Sequence, residues 1–491
     1  EYYTKWNSDG TPDKDYGNTR NSVSETRGEE FTYTIDNLLT YNKTFNRHSI
    51  DALLGTSWMR EYYRYMTNST INDLGGTDIT GFQNEDGKIS AGDSNAALLS
   101  FFARVNYDYD NKYLLSLSIR RDESSKFHKD NRVGYFPSVS AGWNVHQEKW
   151  FQNPVMSKLK IRASYGELGA NFLNPYNFDA IAYGPIPYTV GGERYVTGRA
   201  AYLKSKDLKW ETAKTTDIGI ELGFFNNDLT LSLDYFVKKN VDLLAQIDLN
   251  LSSGQIFEIN SSREKPYVNT ASVKNTGWEF MMNYRKQLTK DFHIDATFNI
   301  ATLKNKVLSL GENVQPITSG AMSSYFNDAA SITMPGEAIG SFYGYKIDGF
   351  DAEGNFIFAD TDKNGVVNAN DKVILGSPIP DFTYGLNINM EYKDFDLTVF
   401  FQGAAGHDIY VSGDILDPFI QQGLGNGLAI MTDRWHREDP TDPYSKWIPG
   451  YMPAARVAGV ADNRSSNSWS LHNASYLRLK TLELGYTLPK A

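Results

Sequence analysis

Apolar residues return at every second position in long segments of this chain. In "TDIGIELGF", Ile218, Ile220, Leu222 and Phe224 point one way and Asp217, Gly219, Glu221 and Gly223 the other, because successive side chains of a strand alternate faces. After the short turn "FNND", the segment "LTLSLDYF" repeats the pattern, with Leu229, Leu231, Leu233 and Tyr235 against Thr230, Ser232 and Asp234. The two predict a hairpin with one apolar and one polar face. The same alternation runs through "FTYTIDNLLTY", "HSIDALLGTSW", "LSFFARVNYDY", "YLLSLSIRR", "PSVSAGWNV", "LKIRASYG", "GWEFMMNYR", "FHIDATFNI", "DFTYGLNINMEY", "FDLTVFF" and "LELGYTL", for about thirteen strands in all. Many reach the roughly nine to eleven residues that a tilted membrane strand needs, more than the ~five or six usual in soluble sheets.

The spacing between strands adds an independent signal. "NKTFNR", "DN", "FNND", "KQLTKD" and "YKD" are tight, whereas residues 60–96, 169–208, 244–268, 308–376 and 412–473 form long excursions. Short turns on one rim and long loops on the other mark an outer-membrane barrel. The expected fold class is all-β, a large antiparallel transmembrane β-barrel with its long loops outside. Arg104, Asp217, Glu221, Asp234, Glu279, Asn283, Asp295, Asn387 and Asn389 would then line the lumen, and that much inward polar surface calls for a wide barrel holding a channel or a plug. Aromatic residues are expected to form girdles at the water boundaries: Trp58, Tyr62, Tyr63 and Tyr65 after one strand, Tyr107, Tyr109 and Tyr113 about one turn, Phe224 and Phe225 about another. An odd number of strands does not close a bacterial barrel, so strands are expected to be missing at one or both ends. "EYYTKWNSDG" likewise opens as if cut from a longer chain.

Composition narrows the classes further. The 491 residues include no Cys, which excludes disulfides and thiolate metal sites. A net charge of -11 without a clustered basic face argues against nucleic acid. With a mean hydropathy of -0.46 and no apolar run near 20 residues, a helical membrane protein is excluded, but a barrel is not, because alternating strands average out. No enzyme is expected. The seven histidines, His48, His128, His146, His293, His407, His436 and His472, are scattered, with no HExxH and no triad with a nucleophilic Ser. "RRDESSKFHKD" reads as a solvated loop crossed by ion pairs, and "GGERYVTG" and "QQGLGNGLAIM" lack the Lys and helix of a phosphate loop.

One stretch has ligand spacing. In "DTDKNGVVNAND", residues 360–371, a calcium ion would take oxygens from Asp360, Asp362, Asn364, the carbonyl of Val366, Asn368 directly or through water, and Asp371, with Gly365 allowing the sharp turn. Unlike an EF-hand, the stretch lies between "GNFIFA" and "KVILGSPIPDFTYGLNINM", which read as strands. The ion would be structural, bracing a loop. Asp rather than Glu at the twelfth position implies weaker binding, which calcium outside cells would still satisfy. The competing reading is an Asx-rich turn without an ion.

Four stretches carry a family resemblance: "LSLSIRRDESSKFHKDNRVGYFPSVSAGWNV", "LKWETAKTTDIGIELGFFNNDLTLSLDYFVKKNVDLL", "NTGWEFMMNY" and "DTDKNGVVNANDKVILGSPIPDFTYGLNINMEYKDFDLTVFFQGAAGHDIY". A fifth, "ASYLRLKTLELGYTLPK", resembles late barrel strands. In order and spacing the chain resembles the SusC-like (RagA-like) TonB-dependent outer-membrane transporters of Bacteroidetes. It departs from them at Glu123, where the family usually has Gly, and at Lys363 and Asn364, where "DTDGDG" is commoner. The resemblance implies a barrel of twenty-two strands around an N-terminal plug, with residues 1–491 as a partial barrel and 308–376 as a long extracellular loop. It also implies import of a glycan oligosaccharide, or sometimes a peptide, under a SusD-like lipoprotein lid, driven by the TonB–ExbB–ExbD complex through a region outside this segment. Sugar sites commonly pair aromatic faces with carboxylates and amides, so Trp435, Tyr444 and Trp447 in the last long loop and Tyr325, Tyr343 and Tyr345 in the preceding one are ligand candidates. A secreted calcium-dependent β-repeat binding module is the alternative from another class.

Overall fold

The computed structural model describes residues 4–6, 12–17, 22–71, 88–175, 178, 182–191, 193–200, 205–246, 267–311, 314–323, 326–411, 428–455 and 465–488. One antiparallel sheet dominates it. Thirteen strands follow one another in chain order: β1 (Ser22–Phe45), β2 (His48–Ile71), β3 (Lys88–Tyr109), β4 (Tyr113–Ser124), β5 (Val133–Asn144), β6 (Met156–Ala170), β7 (Glu211–Phe224), β8 (Leu229–Gln246), β9 (Tyr267–Thr289), β10 (Phe292–Thr302), β11 (Phe382–Tyr392), β12 (Phe395–Ala405) and β13 (Tyr476–Tyr486). Each pairs with the next, and each of the thirteen expected segments falls on one of them, three overrunning an end by one or two residues at Val145, Asp381 and Thr487–Leu488. Among the described residues β1 and β13, at the two ends of this path, pair on one side only.

One rim carries the tight connections and the other the long ones, except that 145–155 on the first is longer than 125–132 on the second. Residues 46–47, 110–112, 145–155, 225–228, 290–291 and 393–394 close one rim, and the strand ends flanking 72–87, 125–132, 171–210, 247–266, 303–381 and 406–475 lie on the other. The tight turns carry positive φ at Asn46, Asp110, Asn111, Phe225, Asn226, Asn227 and Lys393, most of them Asn or Asp. Asn and Asp tolerate that conformation, and turns of this hand match the twist of the flanking strands.

Register turns the period-two pattern into two distinct walls. On the outer face Ile294, Met390, Leu397 and Leu484 form one row across β10–β13, and Ala296, Ile388, Val399 and Leu482 the next. Leu484 is 72% exposed in the chain alone, the state of a side chain whose partner is lipid. In β13 the apolar positions change parity, from Leu477 and Leu479 to Leu482, Leu484 and Tyr486. A bulge between the pairs Phe401↔Leu479 and Phe400↔Thr481 absorbs one residue and keeps all five on the same face.

A girdle lines the short-turn rim. Tyr109, Tyr113 and Trp143 lie in register and stack in succession at 6.3 and 6.5 Å, and Phe292, Tyr392, Phe395 and Tyr486 continue the row at the other end of the sheet. On the long-loop side the expected grouping divides. Trp58 and Tyr62 share the outer face with Ile50 and Leu54, but Tyr63 and Tyr65 fall on the inner face with Asp51, as alternation requires of neighbours.

β2 and β3 stay paired out to Ser69↔Lys88, so most of the 60–96 excursion is ladder rather than loop. Beyond Trp58 apolar residues such as Met59, Met66 and Ile89 are interspersed among polar and aromatic ones on both faces, and the regular apolar period ends while the hydrogen bonding continues. The connection holding the acidic motif runs from 303 to 381, wider than 308–376, and contains a four-stranded sheet of Ile317–Ser323, Phe326–Thr333, Ser341–Gly344 and Val373–Gly376. Among the described residues compact apolar clusters lie at the long-loop rim, where connections fold back on the strand ends. Phe127, Phe136, Leu173, Leu208 and Trp210 make one such cluster, and Phe136 packs where a Cβ on Gly169 would come within 2.0 Å of its ring. Ion pairs Arg120–Asp122 and Arg121–Glu123 cross "RRDESSKFHKD", His128 Nδ1 lies 3.1 Å from Asp130, and Phe127 anchors the stretch in that cluster.

Candidate functional site

The inner wall is a hydrogen-bonded polar surface. Asp51, Asn106, Ser116, Ser140, Ser164 and Asp217 form one register row across β2–β7. Within it Asn106 Nδ2 donates to Asp51 at 3.1 Å and Ser116 Oγ donates to Asn106 at 2.7 Å. These residues border a recess of about 510 Å³. At its edge Arg162 reaches Asp234 at 2.6 Å, Glu221 at 3.3 Å and Asp217 at 3.6 Å, and Lys158 pairs with Glu221 at 2.7 Å. Farther round, Asn283 Nδ2 donates to Asp295 and Thr297. All nine polar residues expected in the lumen lie on this face, where paired charges and satisfied amides fit a water-filled or plug-filled interior.

Above the long-loop rim the two longest connections form one crown. The segment Ser465–Ser470 of the 406–475 connection lies against the 303–381 connection, with Ser465, Ser466, Asn467 and Ser470 buried. Tyr345 N donates to Ser466 O at 2.8 Å, Ser468 N to Tyr345 O at 2.9 Å, and Ser466 Oγ to Tyr343 O at 2.6 Å, all reaching the 303–381 connection. On the other side Asn467 N donates to the Tyr410 hydroxyl, and Asp408–Tyr410 pairs with Leu471–Asn473. An aromatic cluster backs the join, with Phe350 5.8 Å from Trp435 and 5.9 Å from Trp469, and Tyr451 4.8 Å from Trp469.

The six ligand candidates therefore occupy different settings. Trp435 packs inside the crown cluster, and Tyr345 lies 4.7 Å from Phe358 with the Lys372 ammonium over its ring. Tyr343 sits in a crown strand paired with Ile374. Trp447 carries the Arg437 guanidinium 4.6 Å from its ring centre, and Tyr444 is 92% exposed. Tyr325 lies outside the described residues. Trp469, Phe350 and Phe356 were no part of the expected set, although they hold the crown together.

The acidic stretch connects the crown strands Phe356–Phe358 and Val373–Gly376, which explains a calcium-type spacing without flanking helices. Asp360, Asp362 and Asp371 each bring an oxygen within 4.8 Å of the others, a hard-oxygen set that suits calcium. The other three residues serve the turn: Asn364 Oδ1 accepts from Val366 N, Asn368 Oδ1 from Asn370 N, and Asn368 Nδ2 donates to Val366 O. Gly365, at φ 86°, makes the sharp turn. Asp371 is fully buried and accepts from Asn368 N at 2.8 Å and Thr361 N at 2.7 Å. The Asn368 amide in the first place, aided by those of Asp362 and Thr361 and opposed by burial, holds its carboxyl below the usual carboxylate range.

A sheet with an apolar exterior, aromatic rows at its rim, a polar inner wall and sorted connections is the wall of an outer-membrane β-barrel. The family described as "TonB dependent receptor-like, beta-barrel" matches residues 1–488, and the chain belongs to it. It is 33% identical to TonB-dependent receptor P3 of Formosa agariphila over 97% of this chain and 46% of that protein. It is 31% identical to TonB-dependent receptor SusC of Bacteroides thetaiotaomicron over 79% of this chain and 38% of that one. The fold matches the RagAB peptide importer in its closed-closed state with a TM-score of 0.77 at 22% identity, covering 96% of this chain and 50% of that one. The chain thus spans half or less of the length of these relatives, which are named as receptors or importers and not as enzymes.

Proposed function

We propose that this chain is the barrel part of an energy-coupled importer that carries a glycan oligosaccharide across the outer membrane of a Gram-negative bacterium of the Bacteroidetes, with its long loops outside. The observation that carries the reading is the inner row from Asp51 to Asp217. A wall of mutually hydrogen-bonded polar groups backed by an apolar exterior has its use around a hydrated path. A SusD-like lipoprotein would seat on the crown as a lid, and the TonB–ExbB–ExbD complex would supply the force. The glycan assignment follows the SusC-like resemblance. Peptide cargo is the second reading, favoured by the likeness to the RagAB peptide importer. Deleting the gene in its source organism and measuring growth on oligosaccharides and on oligopeptides as sole carbon source separates the two. Loss of growth on an oligosaccharide alone supports the first, and loss on peptides alone overturns it in favour of the second.

We further assign the Asp360, Asp362 and Asp371 oxygens to a calcium ion that braces the crown, with Asn364, Val366 and Asn368 shaping the turn around it. Of the aromatic candidates, Tyr444 and Trp447 are the ones assigned to ligand or lid contact. Trp435 and Tyr345 are assigned to the crown's own packing.

A further inference from the structure

Tyr63 and Tyr65 are large aromatic side chains on the wrong face for a girdle. The ladder from His48↔Tyr109 to Ser69↔Lys88 has no register shift, so both share the inner face with Asp51 and Asn106. They also stand above the lipid band, because the outer face turns polar at Arg60 and Arg64, which bond Asn95 and Glu29. Tyr63 and Tyr65 therefore line the mouth of the lumen.

Their rings are held flat by glycines on the flanking strands. A Cβ on Gly28 of β1 would lie 3.2 Å from the Tyr63 ring, and a Cβ on Gly92 of β3 would lie 2.7 Å from the Tyr65 ring. A side chain at either glycine would push its tyrosine off the sheet. The ring centroids are 5.9 Å apart with 28° between their planes, so the two make one broad, nearly continuous surface. With one side against the sheet, they remain 41% and 37% exposed.

The surroundings narrow what could lie there. Glu30 is the cross-strand partner of Tyr63, and Glu61 is the next inner-face residue along β2. Nearby inner-face positions Thr26, Thr32, Thr67, Ser90 and Ser94 carry hydroxyls, Ala96 faces Glu61, Lys88 ends the same inner-face row opposite Ser69, and Arg27, Arg60 and Arg64 are on the other face. A flat aromatic surface bordered by acceptors, with Arg27, Arg60 and Arg64 on the opposite face, suits a neutral ligand that has an apolar face and a rim of hydroxyl donors. We propose that Tyr63 and Tyr65 form a stacking platform for the pyranose ring of a neutral oligosaccharide at the mouth of the lumen, with Glu30 and Glu61 accepting from its hydroxyls. This deepens the importer reading and rests on its glycan assignment.

The test measures binding by the full-length receptor, extracted in detergent with any companion it retains, using calorimetry. The probes are a panel of neutral α- and β-linked heptasaccharides and a pool of oligopeptides. Y63A and Y65A should each weaken binding of the recognised heptasaccharide by about two- to ten-fold, the range for loss of one aromatic stacking contact. Y63F and Y65F, which keep the rings, should bind as the parent does. An unchanged circular-dichroism spectrum and heat-modifiable mobility would show that the barrel is intact in each variant. Heptasaccharide binding unaffected by Y63A and Y65A overturns the platform and leaves the glycan reading standing. A parent protein that binds peptides and no heptasaccharide overturns the glycan reading and the platform with it.

Discussion

If Ser465–Ser470 clasps the two longest connections into one crown, removing the Asn467 side chain should loosen both sides of the join together. Asn467 is 1% exposed; its Nδ2 donates to Ser465 O at 2.7 Å and its Oδ1 accepts from Trp469 N at 2.9 Å. Asn467→Ala leaves the buried Ser465 carbonyl and the half-buried Trp469 amide without these partners, at about 1–2 kcal/mol each, and so destabilises the clasp by about 2–4 kcal/mol. That corresponds to a roughly 30- to 1,000-fold rise in local opening, because a loop unit that opens without the barrel registers the whole change. Hydrogen exchange followed by mass spectrometry on the detergent-solubilised protein should show faster exchange in the peptides covering Tyr343–Ile347, Asp408–Val411 and Ser465–Leu471. Peptides from β4–β8 should be unchanged. Faster exchange confined to Ser465–Leu471, with Tyr343–Ile347 still protected, would refute the clasp, since Tyr345 N and O both bond this segment.

Gly169→Ala should force Phe136 out of its cluster with Trp210 and Phe127 and cost about 1–3 kcal/mol, the usual range for overpacking. Thermal unfolding in detergent would show a lower Tm, and an unchanged Tm would mean that the ring has room to move. Chelating calcium, or making D360N with D362N, should speed exchange in residues 360–376 and be reversed in the parent by adding calcium. Unchanged exchange on chelation would leave the stretch as an ion-free turn. The pH dependence of the same stretch follows from Asp371. Its folded carboxyl lies below the ordinary range, so its contribution is present above the unfolded pKa of ~3.9 and lost as pH falls toward the lower folded value. Protection of Thr361 to Asp371 should hold from neutral pH down to about 5 and fail only under stronger acid; failure between pH 5 and 7 would assign the brace to another group.

Much of the barrel is legible in the sequence because lipid enforces one apolar face on every strand that crosses it. Ile218, Ile220 and Leu222 have to alternate with Asp217, Gly219 and Glu221, and the hairpin they predict is the one observed. The signal stops at the membrane boundary. Past Trp58 the ladder of β2 and β3 continues with Arg and Tyr on the outer face and Glu, Tyr and Thr on the inner one, so nothing in hydrophobic period marks where it ends. Alternation does carry the face of each tyrosine: Tyr62 and Tyr63 are neighbours in a strand, so only one of them can join an outer girdle. The crown is less readable, because its joins link Tyr343 and Tyr345 to Ser466 and Ser468 across more than a hundred residues through backbone groups and small hydroxyls that any turn contains. The spacing of the acidic stretch points to Asp360, Asp362 and Asp371 as a group. That Asn368 caps its own turn instead is set by local hydrogen bonding that spacing does not encode.

The central claim is that this sheet is the wall of an outer-membrane importer. Native mass spectrometry of the untagged protein, extracted from its source membrane, tests it most directly. The expected result is a detergent-dependent assembly in which a chain about twice the length of these 491 residues, in line with relatives matched over about half their length, carries a lipoprotein companion. A lone chain of 55.3 kDa, soluble without detergent, would contradict the barrel and favour a secreted calcium-dependent binding module.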